Sequence, residues 1–244
     1  MGGLTGVINY GAGNLGSVMN ALARLGLSAR FAAGPEELAV AGDGTAGASP
    51  FDRIIFPGDG HFATAMEALE KSGYAAALGE WIAADRPFLG ICIGLQLLFE
   101  YSEEAGYTGQ AEASGPDGAG EANTAEVDRP RGKAEAAEAV KGLGLIGGII
   151  RRFPGRKIPQ IGWNQTLPRR GSRLFRGLPD NSFFYYIHSY YAPLDDTVSA
   201  AETEYYVRYC SAIERGELAA VQFHPEKSGA VGLQLLENWA RGSP

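Results

Sequence analysis

The stretch Pro87-Phe88-Leu89-Gly90-Ile91-Cys92-Ile93-Gly94-Leu95-Gln96-Leu97-Leu98-Phe99 constrains the fold more than any other. An apolar run of strand length meets a run of helical character, and a single thiol stands at the bend. A small residue two places to either side makes this the thiol counterpart of a G-x-S-x-G nucleophile elbow. Glycine is needed at both flanks because a strained turn leaves no room for a Cβ beside the nucleophile. The elbow predicts that the Cys92 sulfur sits at a helix N-terminus, where the dipole favours thiolate over thiol.

The rest of the first hundred residues repeats the strand-then-helix rhythm. Leu4–Tyr10 reads as a buried strand, and Asn14–Leu25 as a helix with apolar residues at Leu15, Val18, Met19, Leu22 and Leu25. Arg53–Phe56 is a second buried strand, stopped by Pro57-Gly58-Asp59-Gly60, and helical patterns follow over Phe62–Glu70 and Ala75–Ala83. Alternation of this kind predicts an α/β fold with a mostly parallel open sheet covered by helices on both faces. From about 105 to 139 the chain is Gly, Ala, Glu, Ser and Pro with almost no aromatic or β-branched residue. Such a segment buries too little to offset its ordering entropy, so it is expected to be a disordered insertion in an otherwise single domain spanning 1–244. Beyond it the pattern turns β-rich, with strands expected at Leu143–Phe153, Lys157–Trp163, Phe183–Ile187, Ser199–Ala201, Tyr206–Glu214 and Glu217–Phe223. An amphipathic helix over Ser228–Arg241 closes the chain. Appended antiparallel strands follow from this half.

Composition excludes several functions. The formal charge of −7 argues against nucleic acid as the main partner. Two cysteines, Cys92 and Cys210, imply no disulfide framework. No stretch approaches the ~18 apolar residues of a membrane span, and the N-terminus lacks the basic and apolar regions of a secretory signal. A cytoplasmic protein fits these features. Three histidines far apart in sequence, with no C-x-x-C or H-E-x-x-H pattern, argue against a metal site.

A nucleophilic thiol needs a base and a group to orient that base. His224 lies at the end of Ala219-Ala220-Val221-Gln222-Phe223-His224-Pro225-Glu226, and the Pro225 step can turn Glu226 back toward its ring. Cys92, His224 and Glu226 then serve as nucleophile, general base and orienter. An oxyanion hole needs preset backbone donors, which the Ile93 amide and the Pro57-Gly58-Asp59-Gly60 turn can supply. A rival reading comes from Gly11-Ala12-Gly13-Asn14-Leu15-Gly16, which matches G-x-G-x-x-G with Glu36 about 20 residues on. Glu36, however, follows Gly34-Pro35 instead of ending a clear second strand.

With these residues assembled, Gly90-Ile91-Cys92-Ile93-Gly94-Leu95-Gln96 and Phe223-His224-Pro225-Glu226 resemble the class I (triad) glutamine amidotransferases. Further segments resemble the branch that forms the glutaminase subunit of imidazole glycerol phosphate synthase. They are Asn9–Leu15, Phe56–Gly60, Lys141–Ile146, Pro159-Gln160-Ile161-Gly162-Trp163-Asn164 and Ile187-His188-Ser189-Tyr190-Tyr191. The likeness covers nearly all of the chain outside the insertion. It accounts for the Tyr-Gly-x-Gly-Asn turn without a dinucleotide. It implies glutamine hydrolysis through a Cys92 thioester and no cofactor, with Asp59, Gly60 and Ile93 around the oxyanion and Gly58, Gln96, His188, Ser189 and Tyr190 about the glutamine. It further implies a heterodimer with a (βα)₈-barrel cyclase that receives the ammonia, and a glutaminase nearly silent until that cyclase binds its own substrate. Sister glutaminases of pyridoxal phosphate, anthranilate or guanylate synthesis share the triad, and a free-standing thiol hydrolase or a non-catalytic subunit are answers of a different class.

Two departures stand out. The family carries a small apolar residue where this chain has Asp59, whose carboxylate opposes oxyanion charge if it points inward and leaves the amide free if it points outward. The second departure is the insertion. Eight basic residues and no acid between Arg151 and Pro179 suggest either a solvated positive face or a docking surface with Trp163 as buried anchor.

Overall fold

The computed structural model describes residues 3–11, 15–40, 49–104 and 139–242. The insertion expected at about 105–139 lies outside them, apart from its last residue. Eight strands form the main sheet. Five run parallel in the order β2 (Ala29–Phe31), β1 (Thr5–Val7), β3 (Arg53–Gly58), β4 (Phe88–Cys92) and β14 (Leu218–Val221). The sheet then continues antiparallel through β13 (Val207–Arg215), β12 (Ser199–Tyr205) and β9 (Leu167–Pro168). The α/β architecture with appended antiparallel strands is therefore as the sequence predicts.

Side chains alternate across the parallel strands, and each face acquires its own core. Ile54, Phe56 and Phe88 pack with Phe62, Met66 and Leu69 of α2 (Phe62–Lys71) and Leu78 and Trp81 of α3 (Tyr74–Ala83). Ile55, Leu89 and Ile91 pack on the other face. There they meet Val18 and Leu22 of α1 (Leu15–Arg24) and Leu235 and Leu236 of the closing helix, α5 (Gly229–Arg241). Burial on both faces is why β3 and β4 read as continuous apolar runs.

Two smaller sheets flank this core. β10 (Phe183–His188) pairs antiparallel with β8 (Gln160–Gln165). The other sheet runs β11 (Tyr190–Tyr191), β7 (Ile146–Arg152), β5 (Phe99–Ser102), β6 (Val140–Lys141). β8 begins three residues later than the sequence suggests, after Pro159, which has no N–H to give to a ladder.

The helix expected after Cys92 is a single turn, α4 (Ile93–Gln96). Its continuation is displaced by competing partners. The carbonyls of Leu97, Leu98 and Phe99 accept the amides of Leu143, Leu145 and Gly144 at 2.9, 2.9 and 3.1 Å, and the chain leaves as β5. A one-turn helix carries little macrodipole, so α4 supplies less of the expected dipole at Cys92 than a full helix would. Among the described residues no helix is long and apolar enough to cross a membrane.

Candidate active site

The register of the parallel strands brings three carboxyl ends together. Gly58 at the end of β3 pairs with Cys92 at the end of β4, and Ile91 pairs with Val221 at the end of β14. Ligand sites in open α/β sheets form at this edge. Cys92 has φ +56° and ψ −109°, a conformation costly for any residue with a Cβ. Close packing makes that turn possible. A Cβ on Gly90 would lie 2.6 Å from the Gly94 carbonyl oxygen, and one on Gly94 would collide with the Phe56 carbonyl. Both glycines serve the close approach the sequence predicts for them.

β14 leads to the residue expected to act as base. His224 follows its end, and its amide donates to the Tyr185 carbonyl at 2.9 Å. Pro225 opens a short 3-10 turn, Pro225–Lys227, that folds Glu226 back so that Oε1 lies 2.9 Å from His224 Nδ1. Ser228 locks the turn, donating to the His224 carbonyl at 2.6 Å and accepting from the Tyr185 amide at 3.0 Å. Both members of the His224–Glu226 pair are buried. Burial disfavours a charged ring, but the negative charges of Cys92 and Glu226 outweigh it and push His224 up to about 10. Such a ring can hold a proton beside a thiolate and return it to a leaving group.

The residues expected around the substrate meet this centre in different ways. Gln96 Nε2 donates to the Tyr190 carbonyl and to Gln222 Oε1, both at 3.0 Å, which ties the 188–190 segment to the elbow. Ser189 and Tyr190 are half-buried there. Gly58 lies beneath the Tyr10 hydroxyl. Asp59 and Gly60 are exposed and line a cavity of about 520 Å³ with Asn9, Tyr10 and His61. Ile93 opens α4, directly after the thiol.

His188 departs from expectation. Its ring packs in an aromatic cluster with Phe153, Tyr186 and Tyr209, at centroid distances of 5.3, 5.7 and 5.5 Å. Nδ1 meets the Tyr190 carbonyl at 2.7 Å and Nε2 the Tyr209 hydroxyl at 3.3 Å, so neither nitrogen remains for substrate. Burial drives it down to about 4, and it stays neutral. It is a core histidine that positions Tyr190.

Three residues at the site escaped sequence reasoning. Gln222 is fully buried, and its Nε2 lies 3.7 Å from the Cys92 sulfur. Tyr10 is buried with its hydroxyl unpartnered among the described residues, and burial, Asp59 and Cys92 all raise its pKa. Glu104, also buried, accepts the Phe62 amide at 2.7 Å and meets His61 Nδ1 at 3.0 Å. A polar residue in the apolar run Ala-Ala-Val-Gln-Phe was the available signal for Gln222. The other two are placed by contacts far apart in sequence.

Comparison with known proteins gives this arrangement a family. The family model "Glutamine amidotransferase class-I" matches residues 6–241. The chain belongs to that family. Among curated class-I relatives, the imidazole glycerol phosphate synthase subunit HisH of Deinococcus radiodurans is 40% identical over 239 residues, 96% of this chain and 92% of the relative. The protein of that name from Chlorobaculum tepidum is 39% identical over 238 residues, 96% and 98% of the two chains. The chain is thus similar to these HisH subunits over nearly all of its length. Solved structures show the same fold at low identity. A glutamine amidotransferase from Thermotoga maritima aligns with TM-score 0.58 at 16% identity, covering 99% of this chain and 82% of that one. PurLQS of the same organism aligns at 0.62 and 13%, covering 99% of each.

Proposed function

We propose that the chain is the glutaminase subunit of imidazole glycerol phosphate synthase in histidine biosynthesis, with Cys92, His224 and Glu226 as its catalytic triad. The observation that carries this reading is the meeting of Cys92 with the buried His224–Glu226 pair at the carboxyl ends of β4 and β14. The Cys92 sulfur adds to the side-chain carbonyl carbon of glutamine, and the carbonyl π electrons move to oxygen. The amides of Ile93 and of the Gly58-Asp59-Gly60 turn receive that charge. The C–N bond then breaks, and His224 gives its proton to the departing ammonia. A thioester remains. Water adds to it, His224 takes a water proton, and glutamate leaves with return of the thiolate. Gln96, Ser189 and Tyr190 hold the substrate, while the exposure of Asp59 leaves its amide usable.

The ammonia passes to a (βα)₈-barrel cyclase docked on the outer face of β8 and β10. Cross-strand pairing sets Ile161 opposite Ile187 and Trp163 opposite Tyr185 on one face, with Phe183 beside them. Ile161 and Trp163 are 61% and 56% exposed, which is costly for a free surface and apt for a partner. The Ile187 carbonyl on this pair also lies 3.9 Å from the Cys92 sulfur, so a cyclase seated there stands over the thiol. The basic stretch supports docking less well. Arg151, Arg169 and Arg173 form ion pairs with Glu103, Asp196 and Glu214 within the chain.

The test is ammonia release from glutamine, by the chain alone and with a barrel cyclase plus its ribonucleotide substrate, beside a Cys92→Ala control. Strong activation that disappears in the control is expected. Full activity without a partner would point to a free-standing hydrolase instead.

A further inference from the structure

Three amide groups and one sulfur form a directed chain whose sense is fixed by the backbone. The Tyr190 carbonyl can only accept, so the Gln96 group 3.0 Å from it is the NH₂. The same NH₂ lies 3.0 Å from one end of the Gln222 amide, which must then be its oxygen. Gln222 Nε2 is thereby turned toward the Cys92 sulfur, 3.7 Å away. Reversing Gln222 would set two NH₂ groups against each other in a buried site. Its main chain is pinned as well, through an amide donated to the Ser211 carbonyl at 2.9 Å.

From this geometry we infer that Gln222 is a positioning residue for the nucleophile: its side-chain N–H is a fixed donor to the Cys92 sulfur, oriented through Gln96 by the Tyr190 carbonyl. A donor aimed at sulfur favours the charged nucleophile over the thiol. It takes over part of the task that a one-turn α4 performs poorly. Gln222 also couples the substrate side to the thiol, because Gln96, proposed to hold glutamine, is the residue that orients it. The inference rests on the reading of Cys92 as a glutaminase nucleophile, but its test does not depend on which acceptor takes the ammonia.

The experiment compares Gln222→Glu and Gln222→Met with the parent chain. Iodoacetamide alkylation of Cys92 is followed against pH by mass spectrometry, alongside kcat and KM for glutamine in the complex. Other ionisable groups stand about the site on neighbouring elements: His224 with Glu226 after β14, Tyr10 after β1 with Asp59 after β3 acting on it, and the neutral His188 on β10 beside His224. All remain in both variants. Loss of one hydrogen bond to a charged group should slow alkylation at neutral pH by about tenfold and move the profile to higher pH. Gln222→Glu keeps an acceptor for Gln96, so its KM should stay within about twofold while kcat falls, whereas Gln222→Met should raise KM as well. Gln222→Met adds no charge and so excludes simple repulsion as the cause.

Superimposable alkylation profiles in both variants would overturn the inference even if turnover fell, since packing alone would then explain the loss. Cys210 is buried and pushed up to about 11, so its labelling reports unfolding. Unfolding of both variants would assign Gln222 to packing and overturn the inference too. A parent chain that released no ammonia with any cyclase would sink the glutaminase reading and leave the alkylation comparison standing.

Discussion

Cys92 holds a backbone conformation, φ +56° and ψ −109°, that glycine adopts without strain and cysteine does not. The surrounding packing therefore holds of the order of 1–3 kcal/mol of strain at the nucleophile. Both Cys92→Ala and Cys92→Gly should abolish ammonia release, but the glycine variant should be the more stable of the two by about 1–2 kcal/mol in denaturant unfolding. Equal stability would mean that the turn relaxes at no cost. His188 tests a second local balance. Its native form is held neutral down to about pH 4, whereas an unfolded histidine takes a proton near 6.5. The unfolded state thus binds more protons in that window, and the stability this site contributes above pH 6.5 is lost as pH falls toward 4. The stability advantage of the parent over His188→Gln should shrink by roughly 2–3 kcal/mol between pH 7 and pH 4.5. An unchanged gap would show that the aromatic cluster admits the proton. His224 has the opposite sign, since its raised value favours the fold below its unfolded pKa and is lost as pH rises through about 10.

Elements answer to different constraints from residues, and two glycines separate them. Gly79 lies inside α3, where an added Cβ would meet nothing within 4 Å, so Gly79→Ala should stabilise the chain by about 0.5–1 kcal/mol through helix propensity. Gly94 lies inside α4, where a Cβ would strike the Phe56 carbonyl, and Gly94→Ala should lower both stability and glutaminase rate. A thermal melt of each variant, with ammonia release for the second, checks both signs. The same contrast explains what was legible in the sequence. β3, β4 and the apolar faces of α1, α2, α3 and α5 were readable because burial imposes a period on their side chains. The Cys92 elbow and the His224-Pro225-Glu226 turn were readable because each is local. The single turn of α4 was not, because residues 143–145 end it from more than forty positions away. β2 was missed for another reason: it is three residues long and only partly buried, and so carries almost no pattern. Periodicity alone sets His188 in the core, where it packs with Phe153, Tyr186 and Tyr209, and only the family resemblance assigns it to the pocket.

At the scale of the whole molecule, the chain carries the proposed triad in its own core but leaves one apolar face exposed. His224 and Glu226 are buried beside Cys92, whereas Ile161, Trp163, Phe183 and Ile187 stand exposed on β8 and β10. Folding leaves much of this apolar area in water, which a docked partner would cover. Trp163, set edge-on to Tyr185 with ring centroids 6.2 Å apart, is the largest rigid group on that face. If the cyclase binds there, Trp163→Ala should weaken the complex by about tenfold or more while leaving thermal stability of the isolated chain within about 0.5 kcal/mol. The two readings must be taken together, by calorimetric titration of the pair and a melt of the subunit alone. Replacing Arg173 should do the reverse, because its pairs with Glu214 and Glu217 lie within the chain and serve its own fold. Unchanged affinity in Trp163→Ala, with lost affinity on replacing Arg156, Lys157 and Arg170, would move the docking site to the basic stretch. A loss confined to Trp163 would place the partner directly over the Ile187 carbonyl, and hence beside the Cys92 sulfur.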